Sequence, residues 1–305
     1  MQSAIARYRE FVPCEALTPY VRAFFSFTLP PCEPADQAVG RRMTREVVFH
    51  AGQPFWSKLF ADGHLSIVFS VGAGYRIEGL WHPRPSGPSG HLIGSMSSAQ
   101  TATHGERLVQ VGAYFRASGS AVFTRVPARE LANRVIAVED LWGPGTEEVE
   151  TAIHQSHGDA ERVNRLERAL LKRLVPGRDY QGNLNVAGLT KSVLALRGQC
   201  RVESLACDAG VSRQHLTRVF RESIGVTPKL YCRLVRFKAA LAYAGNSAGT
   251  DWARIAVETG YNDQSHMIAE FRQFSSFTPA MLVSQGLFHP FVDRTRAPSP
   301  YNRHL

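Results

Sequence analysis

The sequence is short of cysteine, of long apolar runs and of recognisable catalytic motifs, and each shortage excludes something. Only five cysteines, at positions 14, 32, 200, 207 and 232, occur in 305 residues. The number is odd and no two are spaced Cys-x-x-Cys, which argues against a disulfide framework and against a cysteine-built zinc site. Five reduced packing residues are expected. Apolar runs such as Ile67-Val68-Phe69 fall far short of the ~20 residues that cross a bilayer. The opening residues Met1-Gln2-Ser3-Ala4-Ile5-Ala6-Arg7 have no basic start followed by an apolar stretch. No secretory signal is expected, and the expected setting is the cytoplasm with no membrane partner. Gly-x-Ser-x-Gly, Gly-x-x-x-x-Gly-Lys and His-Glu-x-x-His are all absent, so no catalytic residue or cofactor is expected. Gly72-Ala73-Gly74 lacks the third glycine and the following helix of a dinucleotide loop. His154 and His157 could share one helical turn, but no third ligand accompanies them, so no metal is expected.

What is present is a core-forming chain with an uneven charge. Hydrophobic residues make up 44% and charged residues 20%, a balance that folds rather than stays disordered. The length suits about two domains on a prior of roughly 100–200 residues each. The formal charge is +9, of which residues 1–180 carry +2 and residues 181–305 carry +7. A basic excess confined to one end points to a polyanionic partner, nucleic acid first.

The two ends also differ in pattern. Leu65–Val71 mixes β-branched and aromatic residues after the turn signal Asp62-Gly63, and Leu108–Phe115 reads as another buried strand. Turn residues recur every ten or so positions through 10–140, which fits a small β-barrel or sandwich of cupin-like type. Trp81 to Gly90 is a loop. Trp81, Tyr114 and Phe115 either line a ligand cavity or fill ordinary barrel core, the latter being the simpler reading. His50, His64, His82, His91 and His104 are scattered through this part, in a pocket or, by default, in surface loops. Val149, Ile153, Val163, Leu166, Leu170 and Leu174 then fall at helical spacings, predicting two helices broken near Gly158. Beyond Gly182 the chain reads as helices over 186–197, 202–209, 213–223, 228–244, 251–259, 264–273 and 279–284.

This helical part contains a repeat. Leu205-Ala206-Cys207-Asp208-Ala209-Gly210-Val211-Ser212 leads to His215, Phe220 and Thr227-Pro228; Ile255-Ala256-Val257-Glu258-Thr259-Gly260 leads to His266, Phe271 and Thr278-Pro279. Each copy has the makings of a helix-turn-helix. Ala206 or Ala256 allows close helix approach, Gly210 or Gly260 takes the left-handed turn, and Ser212 or Asp263 caps the second helix. Val211, Leu216, Val219 and Phe220 face inward, leaving Arg213, Gln214, Thr217, Arg218 and Arg221 outward. Such a face suits a helix laid in a major groove. Between the copies, Pro228 opens a strong helix with Leu230, Leu234, Phe237 and Leu241 as its apolar stripe and Arg233, Arg236 and Lys238 outside it. A rod of this kind fixes the distance between two reading heads.

Residues 185–285 resemble the DNA-binding domain of the AraC/XylS family of bacterial transcription regulators. The resemblance rests on Leu-Ala-x-x-Ala-Gly-Val-Ser-Arg-x-His-Leu-x-Arg-x-Phe at 205–220, Gly-x-Thr-Pro-x-x-Tyr at 225–231 and Ile-Ala-x-x-x-Gly-Tyr-x-Asp-Gln-Ser-His at 255–266. It implies base reading by Gln214, Thr217 and Arg218 in the first recognition helix, beside Arg213 and Arg221. In the second it implies Gln264, Ser265, Ile268 and Ala269, with Arg272 on the same helix. The second helix departs from the family: Ala269 stands where a basic residue is common, Ser276 where glycine is common, and Glu270 adds negative charge. Direct reading is therefore expected mostly from the first head, with the second positioning the protein on the backbone. Residues 62–69, 111–119 and 141–143 resemble, over shorter stretches, the β-rich domain of a subset of these regulators, which senses a small molecule, mediates pairing, or both.

The organisation expected is a β-rich sensor or dimerisation domain over 1–143, a helical linker region over 144–182, a DNA-binding domain over 183–288 and a disordered tail over 289–305. The expected function is a sequence-specific transcription activator. Its partners would be double-stranded promoter DNA and RNA polymerase, with a small-molecule effector or a homodimer partner at the β-rich domain. Two rivals stay open. A repair or other enzyme could use the helix-turn-helix as an accessory, although Cys14 and Cys32 are the only cysteines in the first 180 residues. Alternatively, the β-rich domain could serve dimerisation alone.

Overall fold

The computed structural model describes residues 4–29, 43–51, 56–61, 63–72, 75–78, 89–104, 108–175, 184–245 and 251–284. Ten strands come first: β1 (Ala4–Phe11), β2 (Val21–Leu29), β3 (Met43–Ala51), β4 (Trp56–Leu59), β5 (Ser66–Gly72), β6 (Tyr75–Ile77), β7 (Ser89–Ile93), β8 (Gln100–His104), β9 (Leu108–Phe115) and β10 (Val135–Ala137). Seven of them form a sheet in the order β10-β7-β5-β9-β2-β1-β3, and three form a second in the order β4-β8-β6. Every pairing is antiparallel. Strands β10 and β3, at the two edges of the larger sheet, do not pair with each other. The described strands therefore make two sheets and do not close into one hydrogen-bonded barrel.

The sheet is held by packing that its sequence dictates. Gly112 lies opposite Val68 and Phe25, and a Cβ there would stand 2.4 Å from the Phe25 ring. The missing side chain lets Phe25 lie flat and stack on Tyr114 at 4.5 Å. Phe115 is fully buried and stacks on Phe123 at 5.3 Å. Tyr114 and Phe115 are thus core; residues 81–88, Trp81 among them, lie outside the described residues, and Ser89 and Gly90, read from sequence as the end of that loop, instead open β7 opposite Ser70 and Phe69. The histidines divide differently from a surface-loop expectation. His91, on β7, is fully buried, and burial pushes its imidazole down to about 3, so it is neutral at ordinary pH. His64 is half-buried, and its Nδ1 accepts from Lys238 Nζ at 3.1 Å.

Three short helices, α1 (Ala121–Thr124), α2 (Ala128–Leu131) and α3 (Val138–Trp142), flank β10, where the sequence reading expected strands alone. One turn of helix is too short to display a helical period. Next come α4 (Thr146–His154) and α5 (Asp159–Arg173), separated at Gly158 with φ +86. Helix α5 packs on the larger sheet. Val163, Leu166 and Leu170 join Phe11, Phe24 and Phe115 in one apolar cluster, and Asp159 meets the buried Arg9 guanidinium at 3.2 Å.

Seven further helices complete the described chain: α6 (Val186–Ala195), α7 (Val202–Asp208), α8 (Arg213–Ile224), α9 (Pro228–Gly245), α10 (Trp252–Glu258), α11 (Gln264–Ser275) and α12 (Pro279–Ser284). A sheet-rich part thus precedes an all-helical one, in which two helix-turn-helix units flank α9. None of the described helices is long and apolar enough to cross a membrane. The two parts share apolar core. Phe60, Ala61, Ile77, Met96 and Leu108 cluster with Phe237, Leu241, Phe271 and Phe274. Hydrogen bonds cross the same seam: Ala61 N–H donates to Phe274 O at 2.9 Å, Ala99 N–H to Gln273 O at 3.2 Å, and Ser95 Oγ to Ile224 O at 2.9 Å.

Candidate nucleic-acid interface

The two recognition helices start in the same way. Ser212 Oγ accepts from His215 N–H at 3.1 Å, and Asp263 Oδ1 accepts from His266 N–H at 2.7 Å. Such caps satisfy backbone donors that the first turn leaves open. Each preceding turn needs a left-handed glycine, Gly210 at φ +64 and Gly260 at φ +78. Val211 N–H then returns to Ala206 O, and Tyr261 N–H to Ala256 O, at 3.0 and 2.9 Å. The Thr-Pro pairs repeat as well: Thr227 Oγ1 caps Leu230 N–H and Thr278 Oγ1 caps Met281 N–H. The copies differ at the end of the recognition helix. Gly225 takes φ +90 freely, but Ser276 takes φ +67 with a side chain, a conformation costing about 1–3 kcal/mol outside glycine.

Helices α8 and α11 face a common groove of about 1450 Å³, with α9 contributing to its lining. From α8, Arg213, Gln214, Thr217, Arg218 and Arg221 all line it. From α11 come His266, Ala269, Glu270 and Gln273. Of the second-helix residues singled out from sequence, only Ala269 lines the groove. Gln264, Ser265 and Arg272 are exposed and Ile268 half-buried, but none of them faces into it. Sequence reasoning did not select Arg129, Arg201, Lys229 and Gln273 as site residues, although they also line the groove. Arg129 belongs to α2, so the sheet-rich part supplies one of its cations.

Among the described residues, eight arginine or lysine side chains and three glutamates line this groove. Each glutamate is already paired: Glu203 with Arg213 at 2.5 Å, Glu222 with Arg129, and Glu270 with Arg233 at 2.6 Å. Among the described residues, Arg201, Arg218, Arg221, Lys229 and Arg236 have no ion-pair partner in the groove, which leaves it strongly positive. Glu270 was expected to add negative charge to the reading face. Its side chain is instead 3% exposed and its charge is met by Arg233, so it does not repel a polyanion. The basic residues of α9 also have separate tasks. Arg233 reaches α11, Arg236 donates to Gly260 O and Gly198 O, and Lys238 turns to His64 on the sheet side.

Residues 205–285 match the family described as "Helix-turn-helix domain". They form a helix-turn-helix domain of the AraC type. Residues 9–137 match a "Domain of unknown function (DUF6597)". No curated protein matches the chain. Among solved structures, ToxT from Vibrio cholerae is similar at 12% identity, over 76% of this chain and 96% of that one, with a TM-score of 0.43. The C-terminal domain of AraT, a response regulator from Geobacillus stearothermophilus, is similar at 20% identity over 39% of this chain and 92% of that one, with a TM-score of 0.29. The xylose-binding transcription activator xylR is similar at 16% identity over 41% and 38%, with a TM-score of 0.30. The chain carrying this AraC-type domain is a DNA-binding transcription regulator.

Proposed function

We propose that the regulator grips one face of a promoter duplex, with α8 and α11 entering successive major-groove segments and α9 holding them apart. One observation carries this reading: both recognition helices line a single groove whose carboxylates are all paired and whose cations are in excess. Salt-sensitive affinity comes from displaced counterions, and base preference comes chiefly from Gln214, Thr217 and Arg218. The smaller groove-facing contribution of α11 supports a positioning role for the second head. Its residues Gln264, Ser265, Ile268 and Arg272 would meet DNA beyond the groove's rim. We further read the protein as a cytoplasmic activator that contacts RNA polymerase. The sheet-rich part would bias DNA binding through a small-molecule effector or through pairing with a second copy. Its packing against α9 and α11 gives such a signal a physical route.

Selecting duplexes from a random-sequence pool tests the whole reading; enrichment of a motif with two half-sites about one helical turn apart is expected. On the enriched duplex, Arg218→Ala weakens binding by about 1–3 kcal/mol and relaxes preference at one position. An equal loss on every sequence would reduce Arg218 to a phosphate contact. Conversely, Ala269→Arg adds a cation where α11 faces the groove. It should extend the footprint at the second half-site and steepen the salt dependence by about one counterion; an unchanged footprint would overturn the placement of α11.

A further inference from the structure

Two of the five cysteines, widely separated in sequence, meet in the floor of the groove. Cys200 lies in the segment between α6 and α7, and Cys232 lies in the second turn of α9. Their sulfurs are 3.5 Å apart, and both residues line the groove between the recognition helices. Cys232 is 3% exposed and Cys200 is half-buried and open to that groove. The approach is built into the backbone. Gly198, at φ +74, sits so close to α9 that a Cβ would stand 2.1 Å from Cys232 O and 2.8 Å from Arg236 N. Only glycine fits there, and it fixes Cys200, two residues on, over the start of α9. The Arg236 guanidinium donates to Gly198 O at 3.5 Å, which keeps a cation beside the pair. A packing role needs neither this convergence nor an opening to solvent.

We infer that Cys200 and Cys232 form a redox-active dithiol in the DNA-facing groove, oxidised by hydroperoxides to an intramolecular disulfide and shielded when a duplex fills the groove. The shielding clause rests on the proposed DNA-binding mode; the chemistry does not. The Cys200 thiolate attacks one peroxide oxygen, an S–O bond forms, the O–O bond breaks, and hydroxide leaves to be protonated. The Cys232 sulfur then attacks the Cys200 sulfur, S–S forms, S–O breaks, and the departing hydroxide takes the Cys232 proton. Two thiols lose two electrons and hydrogen peroxide becomes two waters. Closure to the usual ~2.05 Å needs the sulfurs to approach by about 1.5 Å, within reach of side-chain rotation at the half-buried partner. The roles follow from position. The thiol of Cys200 is drawn down to about 7 by its hydrogen bond with Cys232 and by the Arg236 charge, whereas that hydrogen bond and burial push Cys232 up. Cys200 is the attacking sulfur and Cys232 the resolving one.

The test uses the full-length protein with stoichiometric hydrogen peroxide and peptide mass spectrometry. The expected product is a Cys200–Cys232 cross-link, two hydrogens lighter than the dithiol, with the exposed Cys207 still open to alkylation. Alkylation of Cys200 should rise with pH to a half-maximum near 7: below it the inert thiol predominates, above it the thiolate. Oxidation of Cys207 before this pair, or a Cys200 profile centred above pH 8.5, overturns the inference without any variant. In Cys232→Ser, oxidation should stop at a Cys200 sulfenic acid trapped by dimedone, and Cys200→Ser should form no cross-link. Sheared genomic duplex DNA at low ionic strength should slow Cys200 alkylation by an order of magnitude relative to Cys207. If the cross-link forms but DNA gives no protection, the groove is not the DNA surface and the proposed binding mode fails, while the dithiol chemistry stands.

Discussion

Phe237→Ala will lower the unfolding free energy by about 3–5 kcal/mol, and will do so for the sheet-rich and helical parts together. The ring is 1% exposed. It meets Phe271 edge-on at 4.8 Å, Phe274 at 5.6 Å and Phe60 at 6.2 Å. The first two belong to the second recognition helix and the third to the chain just beyond β4, so one side chain of α9 fills the space where three segments converge. Alanine leaves a cavity that the surrounding close packing cannot collapse without moving α11. Denaturant unfolding followed by two probes checks the claim, near-ultraviolet circular dichroism for packing and far-ultraviolet for helix. A common transition displaced as a whole is expected. Two transitions, only one of which moves, would show that the shared core does not couple the parts.

That coupling bears on regulation. The backbone groups of Phe274 and Gln273 accept from Ala61 and Ala99, so the C-terminal half of α11 is tethered to the sheet-rich part. Helix α8 is tethered through Ser95 to Ile224 and through Arg129 to Glu222. A displacement of the sheet-rich part would therefore reach both recognition helices, with no need for a flexible messenger. A switch of the usual size, 1–3 kcal/mol, needs only a few such contacts to be gained or lost.

The helix-turn-helix units were legible in the sequence because their determinants are local. Caps at Ser212 and Asp263, glycines at 210 and 260 and the Thr-Pro pairs all act within a few residues. The helices over 213–223, 228–244 and 264–273 accordingly differ from the observed ones by no more than two residues at an end. The strands over 65–71 and 108–115 were legible for a similar reason, since alternation and turn residues mark them. What sequence could not reveal is non-local. Arg129 reaches the groove from another part of the chain, and Arg233 finds Glu270 across 37 residues. The convergence of Cys200 and Cys232 depends on how Gly198 seats on α9, which no spacing rule encodes. Helical register alone also does not say which side of α11 will be covered by α9 and the sheet. Gln273 faces the groove, whereas Gln264, Ser265 and Arg272 do not.

The pairing of Arg233 with Glu270 implies unequal costs for its two partners. Arg233→Ala should destabilise the protein by about 3–5 kcal/mol, because it strands a buried carboxylate. The Glu270 side chain is 3% exposed, and its remaining cation-capable neighbour is His266 at 3.4 Å. Glu270→Gln should cost only about 1 kcal/mol. The arginine it leaves behind is 30% exposed, keeps a hydrogen bond to Gln273 Oε1 at 2.8 Å and lies over the Phe274 ring at 5.0 Å. The DNA readouts should run the other way. Glu270→Gln removes the carboxylate that, among the described residues, pairs with Arg233, so duplex affinity at low salt rises and its salt dependence steepens by about one counterion. Arg233→Ala removes a groove cation and flattens that dependence. Denaturant melts and salt titrations on the same two variants decide the matter. Equal losses of stability, or a Glu270→Gln variant that binds duplex no more tightly than the parent, would mean that Arg233 serves to anchor α11 to α9 and does not face the phosphates.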